Sequence, residues 1–192
     1  MDLRPPQTVL SFKSHLVSNN REDILRQFIV NYFVDDDKFS VFEKVVPNSG
    51  FPGGNFISRA KFINPATGQK YKTEELYIGA TVVLNSWTFQ LDEATEGTLR
   101  AMEANSDQYP KSDLSQTITS KFSLLKGQKS ELEQKFKARD KQGRGRVTWV
   151  VARSIFDEHD LFTDPQERLT LLRRFQFADV EQFKYNEFLQ VF

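Results

Sequence analysis

The chain has no cysteine among its 192 residues. Disulfides, thiolate zinc centres and cysteine nucleophiles are therefore excluded, and an intracellular compartment is compatible with that absence. Histidine is almost as scarce. His15 and His159 lie in different regions of the sequence. His159 sits in FDEHDLF beside Asp157, Glu158 and Asp160, which reads as a solvated acidic turn after a helix rather than a metal site. Serines and lysines occur without a nucleophile elbow or a Ser-x-x-Lys arrangement. No acid, base and nucleophile come together in the pattern, so the chain reads as non-enzymatic, without a cofactor. A charge excess is also missing: 26 basic residues balance 26 acidic ones. A neutral chain has no global field to draw nucleic acid or an anionic membrane, so neither is expected as a partner. Apolar runs are short, and none approaches the roughly 20 residues of a membrane-spanning helix. The opening MDLRPPQTVLSF places an acid and two prolines where a signal peptide needs a continuous apolar run. A soluble protein without leader or anchor is the expectation.

Phenylalanine is abundant, at 18 residues against 2 Met and 2 Trp. Rigid aromatic packing is therefore expected to build much of the core. Residues 1–22 read as an arm, because Pro5-Pro6 disfavours helix. Its apolar positions, Phe12 among them, suit docking either on the chain's own domain or on a partner. From Arg26 the pattern alternates: Phe28, Val30 and Tyr32 on one face, Ile29, Asn31 and Phe33 on the other. Asp35-Asp36-Asp37 breaks the run and KFSVFEKVV resumes it, which makes a hairpin whose acidic turn is solvated.

A breaker-rich loop, Pro47 to Asn55, follows. It has no lysine-serine pair and no helix after it, so it is not a phosphate loop. FISRAKF supplies a third strand, Asn64–Gly68 another turn, and Asn85-Ser86 a tight hairpin between Ala80–Leu84 and Trp87–Leu91. Asp92 is placed to cap a helix running to about Asn105, with Leu99 and Met102 facing inward. Residues 106–119 are polar and read as a linker. Helices dominate beyond it. Ser130-Glu131-Leu132-Glu133 reads as a capping box, and Asp164-Pro165-Gln166-Glu167 as a second helix start. Leu169, Leu172 and Phe175 are expected to line the inner face of that helix.

The stretch from YFVDDDKFSVFEKVVPNSG through FISRAKF to YKTEELYIGATVVLNSWTFQLDEAT resembles a DM10 domain. The tail is similar to a worn EF-hand pair. Asp140 stands at the first loop position, Gly145 at the sixth and Val147 at the eighth, but the ligands are mostly gone: Gln142 is at the third, the cationic Arg144 at the fifth, and Val151 at the twelfth, where calcium needs a bidentate Glu. A second frame runs from Gln176 to Glu187, with Ala178 and Val180 at its third and fifth positions. Calcium is not expected in either, and the pair is expected to stay folded with its loops locked by side chains.

The order of the two regions resembles the C-terminal part of the EF-hand-containing protofilament-ribbon proteins of ciliary doublet microtubules. The resemblance implies an α+β fold. A pleckstrin-homology-like β-barrel with a C-terminal helix occupies 23–105, and an all-α EF-hand-like region 120–192. It also implies a structural microtubule inner protein of the cilium or flagellum, held by tubulin and neighbouring inner proteins. Pro5, Pro6, Phe12, Asn48, Phe51 and Asn55 are the candidate contacts. A calcium- or lipid-linked adaptor of the axoneme is the alternative.

Overall fold

Two compact units divide the chain after Tyr109, in a computed structural model that describes residues 8–178 and 180–192. The first is built on β1 (Val9–Leu16), β2 (Gln27–Phe33), β3 (Lys38–Lys44), β4 (Gly54–Ala60), the short β5 (Ile63–Asn64) and β6 (Gln69–Lys70), β7 (Thr81–Leu84), β8 (Trp87–Ala94) and helix α1 (Glu96–Ala104). Six strands form one curled antiparallel sheet in the order β4-β3-β2-β1-β8-β7. Strand parity decides the faces. Leu10 and Phe12, then Phe28, Val30 and Tyr32, then Phe39 and Val41, alternate inward and are buried. Edge-on rings knit this interior: Phe28 meets Phe56 at 5.0 Å and Phe89 at 5.3 Å, and Phe39 meets Tyr71 at 5.3 Å.

The turns follow the sequence. Asp37 closes the β2–β3 hairpin in the left-handed region, at φ 51°, where Asp is tolerated. Asn85 and Ser86, at φ 50° and 66°, form the two-residue turn that joins β7 to β8, with Leu84 opposite Trp87.

Several expectations are revised. Residues 9–16 are not an arm: they are β1, which pairs with both β2 and β8 and sits inside the sheet. The expected barrel is a half-barrel. β4 and β7 are its two edges and do not pair with each other. The β7 edge is instead blunted by a side chain. Tyr71 Oη donates to the Val83 carbonyl at 3.2 Å and accepts the Val83 amide at 2.8 Å, satisfying both backbone groups of one residue. Asp92 remains in β8, and Thr95 caps α1 by accepting from the Thr98 amide. Thr98 in turn accepts the Ser11 amide at 2.8 Å and donates to the Ser11 carbonyl, which ties α1 to β1. Leu99 and Met102 are buried from α1 as their spacing predicts.

The second unit contains α2 (Leu114–Ser120), α3 (Phe122–Arg139), β9 (Val147–Thr148), α4 (Trp149–Glu158), α5 (Pro165–Arg174), β10 (Gln176–Phe177), β11 (Val180–Phe183) and α6 (Tyr185–Phe188). It is not all-α, since β10, β11 and β9 form a small sheet in that order. The polar stretch 106–119 is not an open linker throughout. Asp113 caps α2, while Ser112, Thr117 and Ile118 are buried. Ser130 starts no helix, because α3 runs unbroken from Phe122. Asp164 does cap α5, accepting from the Gln166 and Glu167 amides with Pro165 in the first turn. Leu172 and Phe175 are buried along that helix as their spacing predicts. Leu171 is buried with them, whereas Leu169 only packs on the core from a half-buried position. An aromatic stack fills the centre. Phe136 lies parallel to Tyr185 at 5.1 Å, and Phe156, Phe183 and Phe188 meet edge-on or tilted around it.

Candidate functional site

Two places in the molecule combine unusual geometry with the predicted site residues. The first is one end of the half-barrel. Antiparallel pairing brings the end of β1, the start of β2, the end of β3, the start of β4 and the β7–β8 turn to the same end. Arg26 and Glu43 both fall on the inward parity of their strands there, since Gln27 pairs with Lys44 and Phe28 with Glu43. The two charges are buried and paired. Arg26 Nε donates to Glu43 Oε1 at 2.7 Å, Nη2 to Glu43 Oε2 at 3.1 Å, and Nη1 to Asp23 Oδ1 at 3.1 Å. The bidentate fork to Glu43 and the third bond to Asp23 offset the cost of taking these charges out of water. The hydrogen bonds donated to Glu43 hold the Arg26 guanidinium even more firmly protonated than usual, against the opposing effect of its burial. Asp23 is lowered below the ordinary carboxylate range, by Ser18 first and by Arg26 after an opposing effect of burial.

The same guanidinium lies over three rings: Phe51 at 4.2 Å, Phe56 at 5.0 Å and Phe28 at 5.1 Å. Phe51 belongs to the breaker-rich loop, so the buried cation pins that loop to the sheet. Gly53, at φ 68°, lies so close to the chain that an added Cβ would fall 2.9 Å from the Glu43 carbonyl oxygen. Of the predicted contacts, Asn48 is exposed on this loop, Phe51 is half-buried under Arg26, and Asn55 is exposed not on the loop but in β4, where it pairs with Phe42. Asn55 Nδ2 donates to Ser58 Oγ at 2.8 Å. Phe12 is 1% exposed, a core residue that no partner can touch. Pro5 and Pro6 lie outside the described residues.

The second place is the loop between α3 and α4. Asp140 is its anchor: its Oδ2 accepts the Gly145 amide at 2.7 Å and the Tyr185 hydroxyl at 3.0 Å. Burial works to raise the Asp140 pKa, but amides of Arg144, Gly145 and Gln142 and the Tyr185 hydroxyl together hold it below the ordinary value. Burial, then Asp140 itself, push the Tyr185 phenol up to about 12. Gly145 takes φ 71°, and the carboxamide of Asn186 fills the space beside it, with Cγ 2.8 Å from where a Cβ would stand. Val147 pairs with Phe183 in the small sheet, so the eighth positions of the two sequence frames meet. Gln142 and Arg144 are exposed and Val151 is half-buried near the start of α4. Glu187, at the twelfth position of the second frame, pairs with Lys184 at 2.7 Å. No cluster of three or more His, Asp or Glu side chains able to hold a metal occurs among the described residues. What Asp140 does in this loop is organise backbone amides, a task for which side chains of the second frame supply the complement.

Sequence reasoning missed Arg26, Glu43, Tyr71, Tyr185 and Asn186. The first two were readable by parity, because Arg26 continues the inward series Phe28, Val30, Tyr32 and Glu43 continues Phe39, Val41. Tyr71 and Asn186 act across the fold and leave no local pattern.

The model for the DM10 domain matches residues 3–98. The chain belongs to the DM10 domain family. The matched span takes in the whole curled sheet and the first residues of α1. Similarity extends past this DM10 domain into the helical unit. Over 179 residues, 88% of the chain, it is 35% identical to the EF-hand domain-containing family member C2 of Bos taurus. It is 32% identical to that of Mus musculus over 181 residues, 90% of the chain. Each match covers 24% of the relative, so the chain spans about a quarter of the length of these proteins. The EF-hand domain-containing protein 1 of Homo sapiens is 33% identical over 105 residues, 53% of the chain and 16% of that protein. Among the described residues no helix is long and apolar enough to cross a membrane.

Proposed function

We propose that this DM10 protein is a structural component of the ciliary or flagellar doublet microtubule, bound inside it to tubulin and to neighbouring inner proteins. The observation that carries the reading is the order of the two units. A DM10 half-barrel is followed by a double helix–loop–helix unit, and one continuous similarity to EF-hand domain-containing family member C2 spans both. We read the second unit as an EF-hand pair in layout, whose first loop is held by protein groups, Asp140 with Tyr185 and Gly145 with Asn186. Such a unit is folded without a calcium signal, as a permanent lattice component requires. Modest contacts repeated along a polymer add up to tight retention.

The chemistry of the chain supports scaffolding over regulation. A calcium-linked adaptor needs carboxylates where Gln142, Arg144 and Val151 stand. A phosphoinositide reader needs basic side chains in a sheet-end loop, and 48–55 contains none. The test is co-assembly: the chain is polymerised together with purified tubulin, so that luminal surfaces stay accessible, and pelleted. Saturable co-pelleting at a fixed ratio to tubulin is expected. A chain left in the supernatant at all tubulin concentrations contradicts the reading.

A further inference from the structure

The two ends of the half-barrel differ in kind. At the end organised by Arg26, large apolar side chains stand in solvent where the strands run into their loops: Ile24 is 74% exposed, Val45 68%, Leu25 59%, Val17 52% and Trp87 41%. The Val17 amide donates to the Thr88 carbonyl at 2.8 Å, and the Trp87 ring meets Phe56 at 5.4 Å. Gly53 brings the chain against Val45. Ile24 and Leu25 precede Arg26 at the start of β2, beside the end of β3 that leads into Val45, so the five share one rim of the half-barrel. Exposed charge is nearly absent from the three loops. Arg21 and Glu22 are the exposed ionic side chains in 17–26, 45–53 and 85–87, and they cancel. The opposite end carries Asp35, Asp36, Asp37, Lys61 and Lys70, with the exposed Ile63 among them. There Arg59 pairs with Asp36 at 2.7 Å and Lys70 with Asp37 at 3.2 Å.

An exposed, contiguous apolar rim on a water-facing domain marks a contact surface. Its loops are also held in place. The buried Arg26–Glu43–Asp23 group and the rings of Phe51 and Phe56 fix two of them, so little ordering entropy remains to be lost on docking. Charge decides the occupant. An anionic lipid surface or a nucleic acid selects clustered Lys and Arg, and the rim has one exposed Arg opposed by one Glu. We infer that the rim formed by Val17, Ile24, Leu25, Val45 and Trp87 is the docking surface of the DM10 unit for an uncharged, apolar patch on a folded protein. The assignment rests on the proposed function, in which that protein is tubulin in the polymer.

The test compares three full-length chains in the tubulin co-assembly experiment: the natural chain, I24S/L25S/V45S at the rim, and D35S at the opposite end. All changed positions are exposed, and matching circular dichroism spectra and melting midpoints confirm that the variants fold. The rim variant is expected to lose at least about tenfold in apparent affinity, the pattern of apolar anchors at an interface centre. D35S keeps it, and the natural chain stays bound as salt is raised to about 0.3 M. Equal binding by the rim variant and the natural chain overturns the rim while leaving the tubulin reading intact. So does equal weakening by D35S. A natural chain that never co-pellets overturns the tubulin reading and this assignment with it. The rim is also overturned as a partner site if sedimentation velocity shows a dimer that I24S/L25S/V45S abolishes. Binding of the natural chain to phosphatidylcholine vesicles that the same variant abolishes has the same meaning.

Discussion

Tyr71 does for the half-barrel what a seventh pairing strand does elsewhere: its single hydroxyl occupies both the amide and the carbonyl of Val83 on an edge strand. Tyr71→Phe leaves both groups unmatched at a partly covered site. A loss of about 1–3 kcal/mol is expected, read as a lower denaturant midpoint. Because the edge is reopened, size-exclusion chromatography is expected to show more self-association than in the natural chain.

In the second unit, Gly145 combines a left-handed φ with a neighbour that leaves no room for a Cβ. Gly145→Ala is expected to cost about 1–2 kcal/mol from backbone conformation alone and more from the collision with Asn186. Adding Asn186→Ala removes the collision but not the backbone strain, so the double variant should recover part of the loss relative to the sum of the single changes. Asp140 gives a pH test. Its folded pKa lies below the ordinary 3.8, so the stability it contributes is present above that value and fades as pH falls through the folded one. The difference in melting midpoint between the natural chain and Asp140→Asn is therefore expected to be full at neutral pH and to shrink in strong acid. A constant difference across that range would mean that the carboxylate's charge is not what orders the loop.

Among elements, the breaker-rich loop shows how a buried ion pair can act at a distance from any chemistry. Arg26 reaches the loop through Phe51 and the strand through Glu43. Arg26→Leu strands the Glu43 and Asp23 carboxylates in the interior and is expected to cost about 3–5 kcal/mol. Hydrogen exchange should rise in residues 17–26 and 45–54 before it rises in β1 or β8. The strands and turns of the first unit were largely legible, because alternation, the triple-Asp turn and Asn85-Ser86 are local chemistry. The position of β1 was not. Leu10, Phe12, Ser14 and Leu16 alternate inward just as β2 does, but Pro5-Pro6 drew the whole segment into an arm. The start of α3 was misplaced for a related reason. Ser130-Glu131-Leu132-Glu133 has the letters of a capping box, yet nothing upstream breaks the helix, and a cap needs a break to cap. The frame of the first loop was legible from Asp140, Gly145 and Val147. Its lock was not, since Tyr185 and Asn186 come from 40 and more residues further along the chain.

For the whole molecule, the two units hold separate aromatic cores, one around Phe28, Phe39 and Phe89 and one around Phe136, Phe156 and Phe188. The loop between α3 and α4 has Gln142, Arg144 and Val151 at the positions where a calcium loop takes its charged ligands. Melting midpoints in millimolar calcium and in chelator are therefore expected to coincide. A rise with calcium would mean that oxygen donors other than those at the predicted loop positions bind the ion. We propose that this protein is part of the doublet wall. Extraction of isolated axonemes with detergent and then with rising salt, following the protein by mass spectrometry, tests it most directly. The account predicts retention with the extracted doublets until tubulin itself begins to leave. Release into the detergent-soluble membrane and matrix fraction would contradict it.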